Sequence, residues 1–348
     1  MAESDSGLNK ILIAGAGPAG LSCAYWASKE GFQVEVRERE KRLAKKPCGE
    51  LTVEEALNCT PFTGEEGWIL NRIKRCRLYF NGKFVKEIDF PFGGLIIDKR
   101  AFLEDLKGEA EENGTTVKLG TPILPSEILN LPADLIVDAT GAPGSLGRHA
   151  GLNYDRYELV PILQTYCNGD LEDDLIILNV LDKGFAWVFP YHDSINYGVG
   201  GYYKAGELDE LLRRGQKQFD LRGIGSLNVE SASVSVGGPI KKLREGKLTV
   251  AGEAAGAVMP TTGEGIRFAL QSGKICFERD YEELFWKEFG VDLIAGRNVL
   301  KFLLELDARR KRGMLKSMPE KAIQFYLGSR ESITSRVASR LISRFAKI

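Results

Sequence analysis

The chain is predicted to be of the α/β (α+β) class: a Rossmann-like dinucleotide-binding domain, an interleaved antiparallel β-sheet domain and a helical C-terminal region. Three observations carry the prediction. The apolar run Lys10-Ile11-Leu12-Ile13-Ala14 leads straight into Gly15-Ala16-Gly17-Pro18-Ala19-Gly20. Far downstream, Leu248-Thr249-Val250-Ala251 leads into a second glycine-rich block that runs from Gly252 to Ile266. Between them, residues 160–203 alternate aromatic and β-branched runs with Asn-Gly, Lys-Gly and His-Asp-Ser turns, the pattern of a sheet.

The first block has a direct physical reading. Gly15 allows a tight bend after the strand, and Gly17 lets the backbone approach a pyrophosphate. Gly20 lets the following helix pack close to the strand and point its positive N-terminus at the phosphates. The next strand, Gln33 to Glu38, ends on an acidic residue 18 positions beyond Gly20, the spacing at which a carboxylate meets the adenosine ribose.

Further elements follow in order. A basic loop, Lys41 to Lys46, opens into Pro47-Cys48-Gly49-Glu50. Residues 75–80 and 84–88 form a hairpin around Asn81-Gly82. A helix over about 100–112 ends near Asn113-Gly114, and the strands 116–119 and 133–138 come next. The segment Asp138 to Arg148, with Gly141 in its turn, either anchors a dinucleotide near the diphosphate or is an ordinary strand-to-helix connection. Residues 206–220 are helical, 229–237 return as a strand, and the chain is helical from Gly263 onward. In the second block Glu253 stands where an acid accepts a ribitol or ribose hydroxyl, and Gly265 and Ile266 open a helix whose free amides face the ligand.

Composition bounds the function. The 348 residues suffice for a full core, and 43% hydrophobic with 27% charged residues is ordinary for a soluble globular protein. The balance of 47 basic to 48 acidic residues carries no nucleic-acid signature, so no nucleic-acid partner is expected. Six cysteines without a CxxC pair read as reduced thiols of a cytoplasmic protein. Only two histidines are present, with no HExxH or Cys/His cluster, so no metal site and no Ser-His-Asp hydrolase is expected. The polar, acidic start argues against a secretory signal peptide, and no run of apolar residues is long enough for a transmembrane helix.

Over residues 8–275 the order of these elements resembles the p-hydroxybenzoate-hydroxylase-type FAD-dependent oxidoreductases, and within them most of all the geranylgeranyl reductase family. Lys46 to Glu50 is similar to that family's proline-cysteine-glycine loop beside the isoalloxazine. Gly184 to Pro190 resembles its aromatic substrate-pocket motif, and Gly252 to Ile266 its second flavin motif. The resemblance implies FAD as cofactor and a discontinuous FAD-binding domain over 1–60, 98–158 and 238–280. A β-sheet substrate domain would take 61–97 and 159–237, and a helical C-terminal region 281–348.

Position by position, the resemblance implies that Gly15, Gly17, Ala19 and Gly20 hold the pyrophosphate, with Gly141 nearby, and Glu38 the ribose. Cys48, Gly49 and Leu51 line the flavin ring, Ile123 supplies adenine-side backbone contacts, and Glu253, Gly265 and Ile266 grip the ribityl chain and ring. Glu253 replaces the family's aspartate, Lys99 aligns with its arginine, and Phe185 replaces its pocket tyrosine. The chain is also shorter than typical members.

The implied activity is reduction of isolated C=C bonds in a prenyl lipid or diphosphate. Such bonds lack a carbonyl, so a proton must accompany hydride transfer. Cys48, Tyr191 and ordered water are the candidate donors, and Cys48 is equally readable as a small buried residue packed on the ring. Phe185, Trp187, Phe189 and Tyr191 alternate with a period of two and share one sheet face, either lining a tunnel for a polyprenyl chain or contributing to a core. The alternative activity is FAD-dependent monooxygenation or hydroxylation of an aromatic or polyketide-like substrate; a flavin electron-transfer protein is a third reading. With no second GxGxxG unit, electrons come from transiently bound NAD(P)H or a ferredoxin-like protein.

The tail carries charge. Residues 301–348 hold 12 Lys/Arg against 4 Asp/Glu. Ile333, Val337, Leu341 and Phe345 recur every four residues, with Arg336, Arg340 and Arg344 one residue behind. This basic amphipathic helix docks either on its own domain or on an anionic membrane surface, the second giving a peripheral position on the inner membrane face.

Overall fold

The structure, a computed structural model, describes residues 9–223 and 228–327. The basic amphipathic segment 333–348 lies outside the described residues. In chain order the strands are β1 (Lys10–Ala14), β2 (Gln33–Glu38), β3 (Leu51–Val53), β4 (Ile69–Phe80), β5 (Lys83–Ile97), β6 (Thr116–Leu119) and β7 (Leu135–Asp138). They continue as β8 (Leu159–Cys167), β9 (Leu175–Leu181), β10 (Gly184–Tyr191), β11 (Ser194–Gly201), β12 (Glu230–Ser235), β13 (Arg244–Glu245) and β14 (Leu248–Val250). The helices are α1 (Pro18–Lys29), α2 (Lys99–Glu112), α3 (Ser145–His149), α4 (Ala205–Gln218) and α5 (Ile266–Ile275). Among the described residues they continue as α6 (Tyr281–Phe285), α7 (Val291–Glu305), α8 (Ala308–Ser317) and α9 (Glu320–Leu327).

The strands form two sheets. The first has the order β13-β14-β7-β1-β2-β6 and is parallel except for β13. Its central strands β1 and β7 are near-continuous apolar runs and are buried on both faces, as inner strands of a parallel sheet are. The chain builds outward from β1 through β2 to β6, then returns to the other side of β1 with β7. Strand order therefore reverses between β1 and β7, and a crevice opens at their carboxyl ends.

The second sheet has the order β12-β8-β11-β10-β9-β4-β5-β3. It is antiparallel apart from β4 and β9, which run parallel. That pair departs from the expected all-antiparallel sheet. The connection between them passes through β5, α2, β6, β7, α3 and β8, long enough for a parallel return. The β4–β5 hairpin turns at Asn81 (φ 46°) and Gly82 (φ 79°), the paired left-handed conformation of a two-residue hairpin loop. Strand β3, only two residues beyond Gly49, joins this sheet through β5 and so ties the Pro-Cys-Gly loop to it.

The two sheets meet through α1 and α5. A Cβ at Gly273 would stand 2.2 Å from the Ala19 carbonyl oxygen, and Ser22 Oγ donates to Leu270 O at 2.8 Å. This close crossing fixes the second glycine block against the first. The C-terminal helices reach back to the second sheet, where Lys86 Nζ donates to Met318 O at 2.8 Å and the Asp89 amide to Glu320 Oε1 at 2.9 Å. Among the described residues no helix is long and apolar enough to cross a membrane. All six cysteines are free thiols.

Candidate active site

A cavity of about 730 Å³ opens between the two sheets, and four segments far apart in sequence wall it: the first glycine block, the loop 38–53, the turn 139–143 and the second glycine block. Strands β8, β10 and β12 close the far side.

The glycine turn has a distinct cause at each position. Gly15 sits at φ 104°, and a Cβ there would stand 2.5 Å from the Ala139 carbonyl oxygen across the crevice. A Cβ at Gly20 would fall 1.9 Å from Gly15 O, so the helix can lie on the strand only without a side chain. At Gly17 an added Cβ meets nothing within 4 Å, because that face looks into the cavity. Helix α1 begins with Pro18, has no side-chain cap and has no acidic residue in its first turn. Its first amides are thus left for an anion. Arg39, Arg42, Lys45, Lys46 and the buried Lys99 also line the cavity.

Glu38 ends β2 beside this turn, its Oε2 accepting from the Ala16 amide at 2.8 Å and its Oε1 from the Glu40 amide at 2.9 Å. A carboxylate has about four acceptor sites, so capacity remains for ligand hydroxyls. Asp138, fully buried at the end of β7, accepts from Thr140 and from the Gly147 amide at 2.9 Å. Burial pushes its carboxyl above the usual range, and these bonds hold the Gly141 turn in place. Arg148 turns away to lie over the Tyr154 ring at 4.3 Å.

The Pro-Cys-Gly loop packs on the aromatic strand. A Cβ at Gly49 would stand 3.1 Å from Phe189 Cε2 and 3.4 Å from Trp187 Nε1. Cys48 is half-buried and its carbonyl accepts from Asn196 Nδ2 at 2.8 Å. Lys99, 7% exposed, donates from Nζ to the Lys46 carbonyl, so it braces this loop from α2.

In the second block Glu253 is shared between segments. Its Oε2 pairs with Lys46 Nζ, and its Oε1 accepts from the Ser235 amide at 3.0 Å. Gly265 is the N-cap of α5, and the Arg267 amide donates to Glu264 Oε1 at 3.1 Å. The helix start is therefore served in part by its own motif, whereas free amides were expected. Phe185 packs on this block, 3.2 Å from where a Cβ would stand at Gly263.

The cavity gathers Gly15, Gly17, Ala19, Glu38, Cys48, Gly49, Leu51, Lys99, Gly141, Glu253, Gly265 and Ile266 with Phe185, Trp187 and Phe189. Three expected residues are not among the lining: Gly20 faces the Gly15 carbonyl, and Ile123 and Tyr191 stand elsewhere. Ile123 does not line the cavity, and its side chain packs in an apolar cluster with Leu12, Ala14 and Ile136. Tyr191 ends β10, outside the cavity lining, and tilts against the Tyr166 ring at 4.8 Å. Leu159, Ile162, Leu178 and Val234 complete the apolar side. Among the described residues no three His, Cys, Asp or Glu side chains gather as a metal site would require.

Sequence reasoning missed Glu50 and Asn196. Asn196 is a fully buried amide within the apolar run of β11, and Glu50 is 6% exposed directly after Gly49. A polar residue inside an apolar strand was the available signal for the first.

The geometry can be set beside known proteins. No family model matches the chain. A digeranylgeranylglycerophospholipid reductase of Methanococcus vannielii is 25% identical, with 97% of each chain covered. A menaquinone reductase of Mycobacterium tuberculosis is 25% identical over 77% of this chain and 75% of its own. Among solved structures, a geranylgeranyl bacteriochlorophyll reductase-like protein of Thermoplasma acidophilum superposes with a TM-score of 0.79 at 19% identity, covering 95% of both chains. A flavin-dependent brominase superposes at 0.71 with 15% identity over 98% of this chain and 99% of its own. The chain is thus similar nearly end to end to digeranylgeranylglycerophospholipid reductases and shares the fold of flavin-dependent enzymes.

Proposed function

We propose that this protein is a FAD-dependent oxidoreductase that saturates C=C bonds of a prenyl, geranylgeranyl-type lipid. The observation that carries the reading is one cavity with two unlike ends. Its glycine-turn end is ringed by basic side chains and backbone amides, and its other end by Phe185, Trp187, Phe189, Leu159, Ile162 and Leu178. A dinucleotide fits the first end and a hydrocarbon chain the second. The names of the reductases it resembles support the same substrate class.

In this reading the open face of Gly17, with Gly15, Ala19, Gly20 and the first amides of α1, holds the diphosphate of FAD, and Glu38 takes the ribose. Glu253, Gly265 and Ile266 hold the ribityl chain, while Cys48, Gly49 and Leu51 lie along the flavin ring. When bound and reduced, the flavin supplies a hydride. The protein places the prenyl chain along Phe185, Trp187 and Phe189, keeps water from the apolar end and delivers a proton to the second carbon. NAD(P)H or a ferredoxin-like protein supplies the electrons.

The test is anaerobic. Protein reconstituted with FAD is photoreduced and mixed with a geranylgeranyl glycerol diether, and the product is weighed for hydrogens added pairwise to its double bonds. Failure to take up FAD, or a lipid of unchanged mass from the reduced holoenzyme, overturns the reading. Oxygen-dependent NADPH consumption with an aromatic acceptor favours monooxygenation instead.

A further inference from the structure

One buried acid at the cavity is not used by that assignment. Glu50 follows the Pro-Cys-Gly turn at φ 59°, a left-handed backbone that strains a residue other than glycine. The side chain so placed is almost wholly buried and lines the cavity. Its Oε2 accepts from the Tyr166 hydroxyl at 3.0 Å. Tyr191, stacked at a tilt on Tyr166, stands beside the same carboxyl.

The groups facing Glu50 come from every neighbouring element. Lys99 and Asp98 approach from the start of α2, Tyr166 from β8 and Tyr191 from β10. Cys48 comes from its own loop, with Sγ accepting from the Glu50 amide at 3.4 Å. Burial raises the carboxyl above its usual range, and Lys99 works against it. On the outer side Tyr166 is 37% exposed. Tyr191 meets the exposed His192 edge-on at 4.9 Å, and His192 Nε2 lies 3.8 Å from Asp98 Oδ2. Solvent, phenol, carboxyl and cavity therefore stand in line.

We propose that Glu50 is the proton relay of the cavity, charged from solvent through Tyr166 and Tyr191. The proposal rests on the reductase reading. One alkene carbon receives a hydride from the reduced flavin, the other receives the Glu50 proton, and the carboxylate regains a proton from solvent by way of the tyrosine hydroxyls. The alkene gains two electrons and two hydrogens, and the flavin is oxidised by two electrons.

Two measurements test this. The first needs no cofactor: protein labelled with δ-13C-glutamate is titrated by NMR, and E50Q identifies the Glu50 resonance by its loss. A midpoint above the ordinary glutamate value of about 4.3 is expected. Y166F, which removes a bond to the charged form, should raise it further. A midpoint at or below the ordinary value overturns the proposal.

The second is a single turnover of photoreduced holoenzyme with the geranylgeranyl diether across pH. E50Q should take up FAD as wild type does yet saturate the lipid about a hundredfold more slowly. Y166F combined with Y191F should slow it as well, and provides a second variant if E50Q folds poorly. Wild-type turnover with an unchanged E50Q rate and pH profile overturns the relay alone. A wild-type protein that holds FAD but saturates no prenyl bond overturns the reductase reading, and the relay with it.

Discussion

The Asn196 side chain joins Cys48 to Trp187: its Nδ2 donates to the Cys48 carbonyl at 2.8 Å, and its Oδ1 accepts from Trp187 Nε1 at 2.9 Å. One fully buried amide thus sets the loop beside the proposed flavin ring against the wall of the proposed lipid channel. Gly198, across β10–β11 from Trp187, leaves room for the indole, since a Cβ there would stand 2.0 Å from Trp187 Cζ2.

Asn196→Leu should therefore act twice. It strands the Trp187 N–H and the Cys48 carbonyl in the interior, each costing about 1–3 kcal/mol if left unsatisfied. Thermal unfolding should register the loss, and the absorption spectrum of bound FAD should shift as the loop moves. Wild-type stability in the variant would remove Asn196 from this role.

Two glycines of one motif should separate folding from binding. Gly20→Ala drives a Cβ into the Gly15 carbonyl and should destabilise the cofactor-free protein. Gly17→Ala meets no protein atom within 4 Å, so the cofactor-free melting temperature should stay near that of wild type. FAD affinity should nonetheless fall, because the new methyl group occupies the face proposed for the diphosphate. Calorimetric titration with FAD beside thermal melts of both variants checks the pair.

These positions also show what could be read in advance. Gly15, Gly17 and Gly20 announce themselves because turn, cradle and helix packing each forbid a side chain at a fixed spacing. Phe185, Trp187 and Phe189 were legible as one face because a strand alternates strictly. Tyr191 keeps that alternation but ends β10, where the chain turns and carries it to Tyr166. Asn196 and Glu50 depend on what lies across from them. The β10–β11 register sets Asn196 opposite Phe189, and the fold of β8 brings Tyr166 to Glu50 from 116 residues away. No local pattern encodes such meetings. Ile123 was carried over by position, and the turn after β6 takes it into the sheet-side apolar cluster.

Glu50 makes stability depend on pH in a known direction. Its folded-state pKa lies above the unfolded value, so the folded protein holds the proton more tightly. The stabilisation is complete below the unfolded pKa of about 4.3 and is lost as pH rises through the folded pKa. Glu50→Gln removes this dependence while its carbonyl still accepts from Tyr166. The melting temperature of E50Q relative to wild type should therefore climb as pH rises from about 4 towards neutrality. A constant difference across that range would show that the carboxyl is not perturbed.

The Lys46–Glu253 pair spans the cavity mouth from the basic loop to the second glycine block, and its two ends should report differently. Lys46 is 42% exposed at its side chain, so the pair itself is worth at most about 1 kcal/mol. Lys46→Ala should cost little stability and should weaken FAD binding modestly, more so at low salt, because a cation is lost from the rim. Glu253 is 15% exposed and also accepts from the Ser235 amide on β12. Glu253→Ala strands that amide, so it should lower both the melting temperature and FAD affinity. Glu253→Asp keeps the charge but shortens the reach by one methylene, and should recover FAD affinity further than stability. A double-mutant cycle in FAD affinity should give a Lys46–Glu253 coupling below about 1 kcal/mol. A larger coupling would make the ion pair, rather than the Glu253 hydrogen bonds, the feature that holds the ribityl side of the site.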